Sequence, residues 1–561
     1  MIRLKARASH QISAVVAFML FTAFMLGVFG RPVLPHPEHA CICAPYSTDP
    51  SIYMWAMKWW PHALGRGINP LLSGVIWAPD GVNLSWSTSV PSAALFGYPI
   101  TAAVGPVAAY NIWMLLSPIL AAFGIYRLCR FLHATFLAAL LGGYIVGFST
   151  YTLGHLLGHL NLVAFWPMPF IVLYCMTYYD GRFSKKHLLM RVVPLAIVQF
   201  GFSTELFTTM CAFGSSALII AYFTASSEAR VRCRELAKSL ALGLVIVCVL
   251  LSPYLYFALA NLPGEPLASR TNTAIDVLNV VVPSDLTAVR DPGLAQTVTR
   301  NESETVGYLG IPLLLVVGLF IVSERRRTRG RVLGGVAALA LVASFGPWLW
   351  VGGERTSIPN PLGVYGFLPV VGNALPARFM LYVFFCAGVA LALWASKQSG
   401  PARRGRLLLA AIAAAFLAPN ISHAWFNQNL SVPQFFRDDV RKVLRPGENV
   451  VILPYGVRGY GMLWQAETNM YFRMAGGYIG PRVPPAFRFY PIVHRLEIDV
   501  PGRRPLPLLE TFLRQKDVSA VIAGPGTSSS WRNLLRRIDR IPDVIGGVEL
   551  FEVGGHARSV R

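Results

Sequence analysis

Residues Ile12–Phe29 read "ISAVVAFMLFTAFMLGVF", an unbroken apolar run, and "MIRLKAR" (Met1–Arg7) stands just before it. Three cations followed by about eighteen apolar residues suit a helix that crosses a bilayer with its basic flank on the cytoplasmic side. A secretory signal would be followed by a small-residue cleavage site. Here the sequel is "FGRPVLPHPEHA" (Phe29–Ala40), bulky and rich in proline. The run is therefore read as an uncleaved first span with its N-terminus inside.

The rest of the chain repeats this pattern. Hydrophobic residues make up 54% of the 561 positions and charged ones only 14%, against about 25% in soluble domains. Cations gather in short loops between apolar runs: Arg127/Arg130, Arg182/Lys185/Lys186/Arg191, Arg230/Arg232/Arg234/Lys238, Arg325–Arg331 and Lys397/Arg403/Arg404/Arg406. The loops between them, such as "STYTLGHLLGHLNL" and "GFSTELF", carry no Lys or Arg. Alternation of this kind follows the positive-inside rule and predicts about eleven spanning helices, N-terminus cytoplasmic and C-terminus external, in a cell inner membrane. It also accounts for the net charge of +22. No basic face or motif suited to nucleic acid remains.

The predicted class is thus a mainly α, polytopic membrane protein. Residues 1–421 form the membrane domain, with a first external loop at 30–109, a second at 261–306 and a third at about 352–376. Residues 422–561 are expected to form a soluble external (periplasmic) α/β domain. There "NVVILPY", "VSAVIAGPG" and "GVELFEV" read as strands, and "PLLETFLRQKD" and "SSSWRNLLRRID" as helices. No glycine-rich nucleotide fingerprint follows any of these strands. Of eight cysteines, six lie in or beside apolar runs. Cys41 and Cys43, one residue apart, are too close for an unstrained disulfide. With His36 and His39 they match no common zinc spacing.

The first loop holds "DPSIYMWAMKWWPHAL" (Asp49–Leu64). Asp-Pro starts helices: the carboxylate caps, and proline suits the first turn. Ile52, Trp55, Ala56 and Trp59 share one stripe, flanked by Tyr53 and Trp60, which predicts an amphipathic helix lying in the membrane interface. Ala93–Val104, set among Pro91, Pro99 and Pro106, is expected to be an interfacial or re-entrant segment.

These features together resemble the GT-C superfamily of integral-membrane glycosyltransferases. The motifs that carry the resemblance are "DPSIYMWAMKWWPHAL", "NPLLSGVIWAPDGVNLSW", "GHLLGHLNL", "FSTELF", "SETVGYLGIPLLL" and "LPARF", as in a group of large bacterial membrane proteins placed in that superfamily. The resemblance covers most of the membrane part. It implies inverting transfer of a sugar from a polyprenyl-phosphate donor to a glycan, lipid or protein acceptor on the external face. It implies that a loop acid, here Asp49, acts as general base or helps hold a metal. Many members carry two acids in this loop. Asp49 stands alone, with Glu38 and Asp80 the nearest others. The metal stays unassigned, with Mg or Mn as candidates.

Trp59, Trp60, His155, His159, Glu205, Glu304 and Arg378 are the candidate substrate-binding residues. His155 and His159 would share a helix face at i, i+4, either as ligand contacts or as histidines bonded to their neighbours. Glu205 lies at membrane depth, a functional group or the partner of a histidine or arginine. Glu302 and Glu304 precede a span and could bind acceptor or metal, or cap the helix. Arg378 could clamp a phosphate or anchor the span at the interface. Trp464, Gln465, Tyr471 and Arg473 are open to a sugar-facing surface or to core packing. Two other classes compete: a transporter or flippase of lipid-linked glycans, and a non-catalytic envelope assembly protein. The first wants inverted repeats and charges within spans; the sequence shows no such repeat.

Overall fold

The computed structural model describes residues 2–45, 47–262, 272–367, 371–397, 400–421, 426–480 and 483–554. The chain divides into two compact units. One comprises residues 1–35, 113–251 and 265–426; the other comprises 36–112, 252–264 and 427–561.

The first unit is helical. Across the described residues of the whole chain, six helices are long and apolar enough to cross a membrane: Gln11–Gly30, Tyr98–Phe131, Phe136–His155, Leu160–Tyr179, Thr204–Thr224 and Pro376–Ala395. A seventh is reached if Ser227–Leu250 and Ser252–Ala260, bent by 73°, count as one span. The expected eleven is not met on length and apolarity alone. Ile311–Glu324 is too short, and Lys185–Phe202, Thr328–Ser344 and Gly400–Phe416 bring basic residues into their first turns.

Small residues let the central helices touch. A Cβ on Gly142 would sit 2.7 Å from the Gly388 carbonyl oxygen, and one on Gly388 would sit 2.7 Å from that of Gly142. In an apolar solvent such close backbone approach is what holds helices together.

The basic loops meet at one end of this unit. The Arg182 guanidinium lies 4.9 Å from the Phe131 ring centre, and that of Arg232 lies 5.2 Å from Tyr179. Thr328 Oγ1 donates to the Thr224 carbonyl at 3.1 Å. Buried Glu324 takes Arg329 at 2.6 Å, Arg327 at 3.6 Å and also Lys397. Thr204–Thr224 and Pro376–Ala395 both end here. Their first turns, with Glu205 and Arg378, are therefore at the opposite end.

The second unit is built on a five-stranded mixed sheet. Its order is Asp543–Ile545, Val548–Glu552, Ala520–Ala523, Asn449–Leu453, Arg473–Met474. Asn449–Leu453 runs parallel to both neighbours, and Val548–Glu552 runs antiparallel to both of its own. The two central strands are buried along their whole length, as their continuous apolar sequence requires. The first-loop residues extend this sheet. Met474 N donates to the Val75 carbonyl at 2.9 Å, Ala78 N to Met474 at 2.8 Å and Trp77 N to Gly476 at 2.8 Å.

This corrects the expectation of an interfacial helix. Pro50–Gly65 is buried on nearly every side, including Ile52, Tyr53, Met54, Trp55, Met57, Trp59 and Trp60. It packs against the helix Gly461–Glu467, where Trp55 Nε1 donates to Gln465 Oε1 at 2.7 Å. A helix apolar all round is a core helix; the tryptophans set packing here. Ala93–Val104, expected as an interfacial or re-entrant segment, is largely helical and is followed by a break. It forms a short helix, Pro91–Phe96, and then the start of Tyr98–Phe131, which Gly105 interrupts at φ 80° and ψ 170°.

Candidate active site

Asp49 lies at the entry to the buried helix Pro50–Gly65, and its side chain makes no cap hydrogen bond. Its backbone is already helical (φ −52°, ψ −40°), whereas a capping residue is normally extended so that its side chain can reach back to the free amides. The cap expected from Asp-Pro is thus corrected. The carboxylate instead accepts a hydrogen bond at Oδ1 from the Tyr478 hydroxyl, at 2.6 Å. Both residues are partly exposed.

Tyr478 reaches Asp49 because two glycines precede it. A Cβ on Gly476 would meet the Tyr455 ring at 2.5 Å, and one on Gly477, at φ +156°, would meet Ile76 and Trp77 at 3.2 Å. The chain thereby passes close over the first-loop segment and delivers the phenol. Burial, with the Asp49 charge second, pushes the Tyr478 phenol well above its usual range. It therefore stays protonated and acts as a donor. The neighbours of Asp49 are fixed as well. Thr48 Oγ1 donates to the Val457 carbonyl at 2.6 Å, and Gln428 Nε2 donates to that of Ser47 at 2.5 Å. Asn111 holds the preceding strand, accepting from Ile42 N at 3.0 Å and donating to the Ala40 carbonyl at 2.6 Å.

A second cluster lies within the helical unit. Arg378 Nε and Nη2 donate to Glu304 Oε1 at 3.2 and 2.9 Å, and Nη1 donates to Glu205 Oε2. Leu375 N donates to Glu205 Oε1 at 3.1 Å. Side-chain exposures are 16% for Arg378, 20% for Glu205 and 5% for Glu304. Three candidates from distant parts of the sequence thus form one ion-paired group, with two carboxylates on a single guanidinium. Glu304 does not cap the following helix; its own short turn is capped by Asn301. Glu302 is exposed. Arg378, with three of its N–H groups directed at carboxylates, is not presented as an open phosphate clamp.

His155 packs on this cluster's surroundings. Its helix, Thr150–His155, lies against the turn Glu302–Glu304, and Thr150 Oγ1 donates to the Val306 carbonyl at 2.8 Å. His155 is fully buried, edge-on to Tyr151 at 4.4 Å. Neither of its ring nitrogens has a hydrogen-bond partner among the described residues, and Glu304 Oε2 has none either. His155 and His159 are not on one helix as expected. The helix stops at His155, and Gly158 at φ +138° turns the chain, yet the two rings remain 5.8 Å apart.

The remaining candidates are core. Trp59 is 1% exposed, stacks on Trp55 at 5.4 Å and donates to the Pro70 carbonyl at 2.8 Å. Trp60 is buried too. Trp464 donates to Ser431, Gln465 to Val75 and Phe472, Tyr471 to Leu444 and Arg473 to Gly447, all at backbone carbonyls. This is packing rather than a sugar-facing surface. Tyr478 escaped the sequence reading although "MAGGYIG" was in view; the paired glycines before an aromatic were the available signal.

The Mg or Mn expected as a candidate would need further oxygen ligands beside Asp49. A phenol is one neighbour, and among the described residues no group of three or more His, Cys, Asp or Glu stands together as metal ligands. Octahedral hard cations need several oxygen ligands, usually more than one carboxylate.

Comparison with known proteins agrees with the fold. The structure of arabinofuranosyltransferase AftD from Mycobacteria is similar over 98% of this chain and 40% of that one, with a TM-score of 0.55 and 13% identity. A mutant form of the same protein gives 0.52 and 14% identity over 98% and 42%. The apo oligosaccharyltransferase of Archaeoglobus fulgidus gives 0.47 and 12% over 94% and 71%, too low to weigh further. The fold of this chain is thus similar to that of AftD, a likeness of fold alone at this identity. This chain spans about two fifths of the AftD chain's length. No curated protein matches the sequence. A family described as a domain of unknown function, DUF6311, matches residues 17–417, and the chain belongs to it.

Proposed function

We propose that this DUF6311 protein is an inverting membrane glycosyltransferase that uses a polyprenyl-phosphate sugar, with Asp49 as general base. The observation that carries the proposal is the Asp49 carboxylate itself. It is released from capping, partly exposed, and oriented by a neutral hydroxyl. A carboxylate has two oxygens and about four lone-pair sites, so the bond at Oδ1 is compatible with accepting a proton. In the reaction, an acceptor hydroxyl gives its proton to Asp49 as its oxygen attacks the anomeric carbon. The bond from that carbon to the phosphate oxygen breaks, polyprenyl phosphate leaves with the electron pair, and the configuration inverts.

The acceptor is a glycan, lipid or protein of the envelope. We read five further helices, Lys185–Phe202, Ser227–Leu250, Ile311–Glu324, Thr328–Ser344 and Gly400–Phe416, as additional crossings, giving about eleven. The end with the basic loops is then cytoplasmic and the reaction external. Both ring nitrogens of His155 and Oε2 of Glu304 have no hydrogen-bond partner among the described residues, and we assign His155, with Glu205, Glu304 and Arg378, to the region that receives substrate.

The test uses membranes, labelled polyprenyl-phosphate sugars, and wild type against Asp49→Asn at matched expression. Loss of a positioned base lowers the rate by about 10²- to 10⁴-fold. Equal transfer by the variant would refute the assignment. Vectorial uptake into proteoliposomes without transfer would favour a transporter.

A further inference from the structure

Three consecutive first-loop residues are each gripped by a different part of the chain beyond residue 426. Ser47 offers its carbonyl to Gln428 Nε2 at 2.5 Å, Thr48 donates to the Val457 carbonyl at 2.6 Å, and Asp49 accepts from Tyr478 at 2.6 Å. The first contact holds the Ser47 backbone and the second the Thr48 side chain. The third fixes the carboxylate itself.

The grip is itself supported from behind. Gln428 accepts from the Tyr460 hydroxyl at 3.3 Å and lies in a strand that pairs with Ala40–Cys41. Val457 sits in the turn Gly456–Arg458 directly after the central strand Asn449–Leu453. Tyr478 follows the sheet-edge segment that bonds to Val75–Ala78. Catalysis falls steeply with small misplacement of a reacting group, so the direction of this carboxylate matters.

We infer that residues 427–480 are the positioning element of the Asp49 site and that Tyr478 is its positioning residue, donating the hydrogen bond that aims the carboxylate. This rests on the reading of Asp49 as base. The C-terminal segment is then part of the transferase machinery, and the first loop alone does not hold the site. Tyr478 does not act as the base, because its phenol keeps its proton.

A hydrogen bond to the ionised form favours that form. Removing the Tyr478 hydroxyl therefore makes Asp49 harder to ionise, and the acid limb of the rate profile moves to higher pH. A stronger donor moves it to lower pH.

The experiment compares full-length wild type, Tyr478→Phe, Asp49→Asn and a protein carrying 3-fluorotyrosine at position 478, all in lipid nanodiscs. Transfer from a labelled polyprenyl-phosphate sugar is followed across pH, and thermal unfolding is recorded alongside. The expected result for Tyr478→Phe is a kcat about tenfold lower with KM little changed and the acid limb displaced upward. The fluorotyrosine protein, which keeps the hydroxyl and the fold, should show the limb displaced downward. A limb that stays put in both, with Asp49→Asn inactive, overturns the inference alone. Full activity of Asp49→Asn overturns the reading beneath it.

Discussion

Asp49 and Glu304 are both acids that stand just outside long helices, yet they are held by different chemistry. Asp49 meets a neutral phenol and is partly exposed. Glu304, with Glu205, meets the Arg378 guanidinium in an almost closed environment. A carboxylate bound to a guanidinium must break an ion pair before it can take a substrate proton. Sequence position treats the acids alike; the structure sets Glu205 and Glu304 on one guanidinium and a tyrosine hydroxyl beside Asp49.

The ion-paired side of this contrast predicts the largest stability effect. Arg378→Ala leaves two carboxylates without their cation and should cost about 3–5 kcal/mol, since an unpaired buried charge is what makes such losses large. Thermal unfolding in nanodiscs would read it. The combined variant Arg378→Met, Glu205→Gln, Glu304→Gln should recover much of the loss. A single variant as stable as wild type would show that the cluster is not a structural ion pair.

On the Asp49 side, Gly476→Ala comes next. The added methyl meets the Tyr455 ring at 2.5 Å, and overpacking of this kind costs about 1–3 kcal/mol. Because Tyr478 lies two residues on, transfer should fall more than stability does. Activity that tracks stability alone would separate the glycine turn from the site.

The smallest expected effect concerns Glu467, whose carboxyl burial holds above its usual range, against the opposing influence of Lys58, Arg437 and His39. Its folded-state affinity for a proton exceeds the unfolded one, so the ionised side chain disfavours folding at neutral pH. That penalty vanishes as the pH falls below the usual carboxylate range, where the group is protonated in both states. Glu467→Gln should raise the melting temperature at neutral pH and leave it unchanged at low pH. A gain of the same size at both would contradict the burial argument.

Local pattern made much of this legible. The strands at Asn449–Leu453, Ala520–Ala523 and Val548–Glu552 and the helices Pro505–Gln515 and Ser529–Leu535 stand where apolar runs and turn residues put them. The loop cations sort to one end of the helical unit as their alternation implied. What pattern did not reveal was partnership over long separations. The Trp-rich stripe of Pro50–Gly65 suggested an interface, since a membrane surface and a protein core both select tryptophan. Only the Trp55–Gln465 bond, across some four hundred residues, distinguishes them. Asp-Pro suggested a cap, and the helical backbone at Asp49 removed it. Glu205, Glu304 and Arg378 were each visible alone, but periodicity carries no information that joins them. The sequence boundary drawn at 421/422 also parted residues 36–112 from 427–561, which the structure groups in one unit.

The central claim is that the carboxylate held by a phenol is the one that takes the acceptor's proton. Transfer from a labelled polyprenyl-phosphate sugar by membranes containing Asp49→Asn, against wild type at equal expression, tests it most directly. The account predicts a fall of about 10²- to 10⁴-fold in rate with the melting temperature little changed. Transfer at the wild-type rate by the asparagine protein would contradict it.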